Sequence, residues 1–249
     1  MPLYRRNNKI LHHVHIPKCA GSCIKELILK SGWVKLELPI PKKLENFFDL
    51  DPSKDFNYTD HEHRDVWVEW FNGAKITPDF QFSIVRNPHT RWDSQMWQLH
   101  KNPAYQYQNG TGVLEYVDRV YYTKQAFTWA VFQFITPGID VRYAENREFH
   151  GTKGFGDNHY RPQTEFISLN GEVLTKIYKY EEGIDSIVKN LKERKIIDSH
   201  LKPRIKNSKP VEIRSCTPWK SEEYQQLNLY DKFKDYYKED FQKLNYNYL

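Results

Sequence analysis

The chain has 249 residues, 15% of them aromatic, with 37 Lys and Arg against 32 Asp and Glu for a formal net charge of +5. That length fits one domain with a sizeable core, and the mild, scattered basic excess lacks the dense clustering that a nucleic-acid surface needs. Three cysteines, Cys19, Cys23 and Cys216, are too few and too odd in number for a disulfide framework and suit a reducing compartment.

The first residues, Met1–Lys9, are polar, and the most apolar window, Ala126–Ile135, is too short to span a bilayer. A cytoplasmic location is therefore expected, or the Golgi lumen if an anchor lies outside this sequence. Nothing in the pattern fixes an oligomeric state.

In chain order, Ile10–Ile16 reads as a buried strand stopped by Pro17, and Ser22–Lys30 as a helix with Ile24, Leu27 and Ile28 on one face and Gly32 beyond its end. Residues 39–60, with Pro39, Pro41 and Pro52, read as an irregular loop, and Asp65–Phe71 as a short helix. Phe80–Val85 is a second strand. Pro88 is placed to start a helix whose apolar stripe is Trp92, Met96 and Leu99. Val113–Tyr122 and Lys124–Ile135 read as helices, and residues 142–164 as a long polar loop of the kind that often carries function.

Asn170-Gly171 marks a hairpin turn between Phe166–Leu169 and Glu172–Val173. Lys176–Tyr180 follows as a strand and Gly183–Lys195 as an amphipathic helix. A basic loop over 199–216 precedes a C-terminal helical region opened by Thr217-Pro218. Strands alternating with helices imply an α/β fold, a mostly parallel central sheet flanked by helices. No linker interrupts the pattern, so residues 1–249 read as a single domain.

Two strand-to-helix corners carry the chemistry. The first is His15-Ile16-Pro17-Lys18-Cys19-Ala20-Gly21-Ser22-Cys23. A helix N-terminus offers unpaired N–H groups and partial positive charge to an anion. Gly21 allows close backbone approach, Ser22 adds a hydroxyl and Lys18 a full charge. An ordinary βα turn with a surface lysine would look the same. The G-x-x-x-x-G-K-[ST] pattern of ATP- and GTP-binding loops is absent.

The second corner is Phe82-Ser83-Ile84-Val85-Arg86-Asn87-Pro88-His89-Thr90-Arg91-Trp92-Asp93-Ser94. Arg86 falls at the carboxyl end of a strand, the edge where open α/β sheets bind ligands. Arginine gives bidentate recognition of a phosphate, and Ser94 can add a hydroxyl. The plain alternative is an Arg86 paired to a carboxylate and a Ser94 facing solvent.

Pro17-Lys18-Cys19-Ala20-Gly21-Ser22 resembles the P-K-[ST]-G-[ST] loop with which sulfotransferases hold the 5′-phosphosulfate of 3′-phosphoadenosine 5′-phosphosulfate (PAPS), with Cys19 in place of a hydroxyl residue and Ala20 in place of a common glycine. The second corner resembles their 3′-phosphate motif, V-R-[ND]-P-x-x-R-x-x-S, through Arg86, Pro88, Arg91 and Ser94. Weaker similarities follow in order. Asn158-His159-Tyr160-Arg161-Pro162-Gln163-Thr164 resembles an H-x-x-P-Q-[ST] stretch, and Ile177–Glu181 an [RK]-[FY]-E segment. Lys206-Asn207-Ser208 resembles an N-x-S loop near the nucleotide, and Tyr237–Phe241 a terminal Y-x-x-D-F.

The resemblance is to the carbohydrate (Golgi-type) branch of PAPS-dependent sulfotransferases, most of all to uronyl and heparan sulfate 2-O-sulfotransferases. It implies their P-loop-like fold, and transfer of a sulfonate from PAPS to an acceptor hydroxyl, on a carbohydrate, leaving adenosine 3′,5′-bisphosphate, with no metal required. It implies nucleotide contacts from Pro17, Lys18, Cys19, Ala20, Gly21, Ser22, Cys23, Arg86, Ser94, Lys206, Asn207 and Ser208.

Asp60-His61-Glu62-His63-Arg64-Asp65 resembles the H-x-H segment of the 2-O-sulfotransferases. That makes His63 the expected general base, helped by His61, with Lys18 stabilising the departing oxygen. His61-x-His63-x-Asp65 also resembles the start of a metallo-β-lactamase motif, but Val66 stands where its next histidine belongs. His159, Arg161 and Trp67 are the expected acceptor contacts, although Trp67 fits a packing role equally well. A P-loop-like nucleotide phosphotransferase, or an inactive nucleotide- or glycan-binding module, are the alternatives. The identity of the acceptor is not written in these residues.

Overall fold

The computed structural model describes residues 3–36, 64–101, 161–204 and 229–248. The elements are β1 (Leu3–Arg6), β2 (Lys9–Val14), α1 (Gly21–Lys30), β3 (Val34–Lys35), α2 (Arg64–Ala74), β4 (Phe80–Val85) and α3 (Pro88–Lys101). They continue with α4 (Thr164–Ile167), β5 (Ser168–Leu169), β6 (Glu172–Val173), β7 (Lys176–Lys179), α5 (Ile184–Glu193), α6 (Leu229–Tyr236) and α7 (Lys238–Lys243). The expected loop over 39–60 and the expected helices Val113–Tyr122 and Lys124–Ile135 lie outside the described residues.

The chain divides into two compact units: Met1–Asn87 with Gln163–Ser208, and Pro88–Pro162 with Lys209–Leu249. The first is mixed α/β, a five-stranded sheet of order β3-β1-β2-β4-β7 flanked by helices. Its centre is parallel: β2 pairs with β4 from Leu11↔Phe80 to Val14↔Ser83, and β4 with β7 from Phe82↔Lys176 to Val85↔Lys179. The β2–β4 register is pinned at its start by Asp79, whose carboxylate accepts from the Ile10 N–H at 2.7 Å and whose own N–H donates to the Ile10 carbonyl at 2.8 Å. Inside the sheet, the buried Ser83 hydroxyl donates to the Val14 carbonyl at 2.9 Å.

The sheet differs from the expected parallel pattern at one edge. Leu3–Arg6, expected to be a polar terminus, forms an antiparallel hairpin with β2, from Leu3↔His12 to Arg6↔Lys9, and pairs on its other side with β3. Asn7 turns the hairpin in the left-handed region at φ 56, a conformation that asparagine tolerates better than most residues. Leu3 and Tyr4 are fully buried. Arg6 survives beside them because its guanidinium donates to the carbonyls of Ser31 and Lys195 and lies over the Trp33 ring.

Side chains alternate across the sheet. Phe82 stacks on His13 with ring centroids 4.7 Å apart, and Tyr178 meets Phe82 edge-on. On the opposite face His12 is enclosed by Trp67 and Phe71 of α2, and this burial holds its imidazole well below the ordinary histidine range. In α5, Ile184, Ile187, Val188 and Leu191 form the buried stripe that the sequence spacing predicts. Asn170 (φ 51) and Gly171 (φ 87) both take the left-handed turn conformation between β5 and β6 that an Asn-Gly pair favours. The first of these strands is shorter than expected, because residues 164–167 coil into α4.

The second unit packs α3 against α6 and α7 through aromatic rings. Trp92 meets Phe233 and Tyr237 edge-on, and His89 lies against Phe233 and Phe241 at 4.9 and 5.1 Å. Burial in this cluster lowers the His89 imidazole to about 4, so it is neutral at physiological pH. Among the described residues, no helix is long and apolar enough to cross a membrane.

Candidate anion-binding site

In the first unit, parallel pairing sends the carboxyl ends of β2, β4 and β7 to one edge of the sheet, the edge where open α/β sheets hold ligands. The residues leaving those three strands are Pro17–Ala20, Arg86–Asn87 and Tyr180–Glu181.

The first turn is unusual in its backbone. Lys18 (φ 69) and Ala20 (φ 65) are both left-handed, with Cys19 between them in the ordinary hand. Each left-handed non-glycine residue costs about 1 kcal/mol. Alternation of this kind turns successive N–H groups toward one side and makes an anion-binding concavity. Helix α1 starts from that turn at Gly21 with no side-chain cap on its N-terminus and no acidic residue in its first turn. The Cys23 N–H bonds back to the Ala20 carbonyl at 3.0 Å, while the Gly21 and Ser22 amides stand at the head of the helix, beyond its internal ladder. Nothing built into α1 satisfies the positive end of its dipole.

Gly21 has a packing reason to be glycine. A Cβ there would lie 1.8 Å from Cδ2, 1.9 Å from Nε2 and 2.7 Å from Cγ of His15. The histidine at the end of β2 thus forms the floor of the turn. His15 is itself buried and stacked on His13, with centroids 5.6 Å apart.

The second corner is braced from three directions. The side chain of Gln163, fully buried, clamps the backbone of Arg86: its Oε1 accepts the Arg86 N–H at 2.8 Å and its Nε2 donates to the Arg86 carbonyl at 2.7 Å. The Glu181 carboxylate accepts the Asn87 N–H at 2.7 Å. The Arg86 guanidinium lies over the Tyr180 ring, 4.4 Å from its centroid, and Nη1 reaches the Lys18 carbonyl at 3.3 Å. The two corners are joined a second time. The Cys19 thiol, 1% exposed, donates toward Gln163 Oε1 at 3.4 Å and toward the Pro17 carbonyl at 3.6 Å.

Of the expected nucleotide contacts, Pro17, Lys18, Cys19, Ala20, Gly21, Ser22, Cys23 and Arg86 therefore fall together in one unit. The Cys19 side chain points inward, to Gln163, while Ser22 is exposed at the first turn of α1. Ser94 belongs to α3 in the second unit, where it is half-buried. Also in that unit, Arg91 is 2% exposed and its Nη1 donates to the Arg161 carbonyl at 2.8 Å. Trp67, expected to contact an acceptor, is 4% exposed; its ring packs on His12 and Phe71 and its indole N–H donates to the Phe166 carbonyl at 2.8 Å. The structure uses this ring for packing. His61, His63, His159, Lys206, Asn207 and Ser208 lie outside the described residues.

Gln163, Tyr180 and Glu181 are the residues that sequence reasoning passed over. Each sat inside a quoted motif, Pro162-Gln163-Thr164 or Lys179-Tyr180-Glu181, and the only sequence signal was that membership. Their work is done across separations of 77 to 144 residues. Among the described residues no group of three or more His, Cys, Asp or Glu side chains is arranged to hold a metal ion. Comparisons with family models, with curated proteins and with solved structures return no match for this chain.

Proposed function

We propose that this protein is a PAPS-dependent sulfotransferase with a P-loop-like fold, moving a sulfonate to a hydroxyl of a carbohydrate acceptor. The observation that carries the reading is the convergence at one sheet edge. The Lys18–Ser22 turn, Arg86, Gln163 and Tyr180–Glu181 come from four separate stretches of sequence that each resemble a sulfotransferase motif. All four meet within hydrogen-bond or ring-contact distance. Parallel pairing by itself brings the ends of β2, β4 and β7 to this edge; it does not require the bonds that Gln163, from a stretch outside the sheet, makes to Arg86 and Cys19, and these support the reading.

In this reading the turn and the head of α1 hold the 5′-phosphosulfate, and Arg86 holds the 3′-phosphate. The acceptor oxygen attacks sulfur in line. The new S–O bond forms as the bond from sulfur to the bridging phosphate oxygen breaks. The hydroxyl proton passes to His63, and adenosine 3′,5′-bisphosphate leaves with the bond's electron pair, its charge stabilised by Lys18. No covalent enzyme intermediate is needed.

The test is incubation with radiolabelled PAPS and a panel of uronic-acid-containing glycans, tyrosyl peptides and small alcohols. The proposal expects label on a glycan and stoichiometric release of adenosine 3′,5′-bisphosphate. Hydrolysis of ATP with no use of PAPS would replace it with phosphotransfer. PAPS binding without transfer to any acceptor would leave only a binding module.

A further inference from the structure

We propose that Gln163 is a positioning residue that sets the phosphate selectivity of this site, by locking the Arg86 backbone to the Lys18–Cys19 turn through the Cys19 thiol. The inference rests on the reading of Arg86 as a phosphate ligand and goes beyond it, because it assigns the geometry of that ligand to the side chains of Gln163 and Cys19, which bond to protein.

Arg86 sits where the hydrogen-bonded ladder of the sheet stops. It is the first residue beyond the last ladder position of β4, since the register with β7 ends at Val85↔Lys179. Its N–H and carbonyl are therefore beyond the sheet pairs that fix every residue before it. Gln163 supplies what the ladder no longer does: a primary amide mimics a neighbouring strand, accepting one backbone bond and donating the other, at 2.8 and 2.7 Å. That pair fixes the peptide planes on either side of Arg86 and hence the direction in which its side chain leaves the backbone.

The same Oε1 takes the Cys19 thiol at 3.4 Å. One buried oxygen thus bridges the strand end that bears Arg86 and the turn that bears Lys18. This explains why position 19 tolerates a thiol where the resembled loop has a hydroxyl: the group is needed as an inward donor, and its bond is made to protein. The two phosphate-binding elements are held at a set spacing by a strut buried beneath them, and a ligand with two anionic groups at the matching separation is favoured over a ligand with one.

The experiment compares adenosine 3′,5′-bisphosphate with adenosine 5′-monophosphate by calorimetric titration of the full chain. Wild type is expected to prefer the bisphosphate. In Gln163→Leu that preference should fall by about tenfold or more, the scale set by losing one well-placed charged hydrogen bond. Cys19→Ala, which removes the inward donor to Gln163 Oε1, should lower the preference as well, and an unchanged preference there would overturn the thiol's part in the strut. A role confined to general stability would lower both affinities together and leave their ratio unchanged.

Gln163→Glu gives a second handle that preserves size. Once ionised, its carboxylate cannot donate to the Arg86 carbonyl, and burial at this position raises the pH at which it ionises, so the preference should be lost on the alkaline side of that titration. It should recover toward the wild-type value as acidification protonates the side chain, with wild type at each pH as reference. A Gln163→Leu protein that keeps the wild-type preference, or a Gln163→Glu protein whose preference follows wild type at every pH, overturns the inference while leaving the sulfotransferase reading intact. A wild type that binds neither nucleotide, or both equally, overturns the reading and the inference with it.

Discussion

Replacing Gly21 by alanine tests the floor of the anion-binding turn with a single methyl group. The added Cβ meets His15 at 1.8 Å from Cδ2 and 1.9 Å from Nε2, and at 2.7 Å from Cγ, all inside any real carbon contact. The Cγ distance matters most. Contact with the root of the ring means that swinging its tip aside does not clear the methyl. His15 is 7% exposed, so it has little room to withdraw. Relief has to come from moving the end of β2 or the head of α1, and overpacking of this kind costs about 2 kcal/mol. For a chain of this length that lowers the melting temperature by roughly 4–8 °C.

The assay is a thermal or urea melt of Gly21→Ala, His15→Ala and the double variant, read as a double-mutant cycle. If the ring is the obstacle, most of the cost of the methyl disappears once His15 is shortened. A Gly21→Ala protein as stable as wild type, or a cost undiminished in the His15→Ala background, refutes the packing argument. Nucleotide affinity followed in the same proteins shows whether the displaced backbone is the part that binds the anion.

His63→Ala should keep its affinity for adenosine 3′,5′-bisphosphate and lose sulfonate transfer by roughly 100-fold or more, the usual contribution of a general base; full transfer activity would remove His63 from that role. The His89 imidazole is lowered by burial from 6.5 to about 4 in the fold, so the unfolded chain binds the extra proton first. The stability it supports is complete above pH 6.5 and declines as pH falls toward 4, by at most about 3 kcal/mol. His89→Phe, which keeps an aromatic ring against Phe233 and Phe241, should flatten that part of the pH–stability curve measured by urea unfolding.

Much of the fold was legible because its signals are local. Phe80–Val85 is a strand at the expected residues; Pro88 starts α3 and the stripe of α5 is buried as its spacing requires. The hairpin strand β1 was not legible. Arg5 and Arg6 mask Leu3 and Tyr4, and the partners that make Arg6 acceptable, Ser31 and Lys195, are distant in sequence. The site divides in the same way. Lys18 and Arg86 announce themselves by charge at the ends of strands. Nothing local reveals that Cys19 turns inward, that His15 lies beneath Gly21, or that a glutamine 77 residues away clamps the Arg86 backbone. Trp67 shows the limit of composition, since a tryptophan fit to stack on a sugar is equally fit to fill a core.

In the proposed function the corner bearing Arg86 holds a phosphate of a bisphosphorylated adenosine. Titrating adenosine 3′,5′-bisphosphate into wild type and Arg86→Ala measures it directly. Saturable binding to wild type is expected, with an affinity about 10- to 100-fold weaker in the variant, the loss that removal of a charged hydrogen-bonding group brings. Equal affinity in the two proteins, or none in wild type, would contradict it.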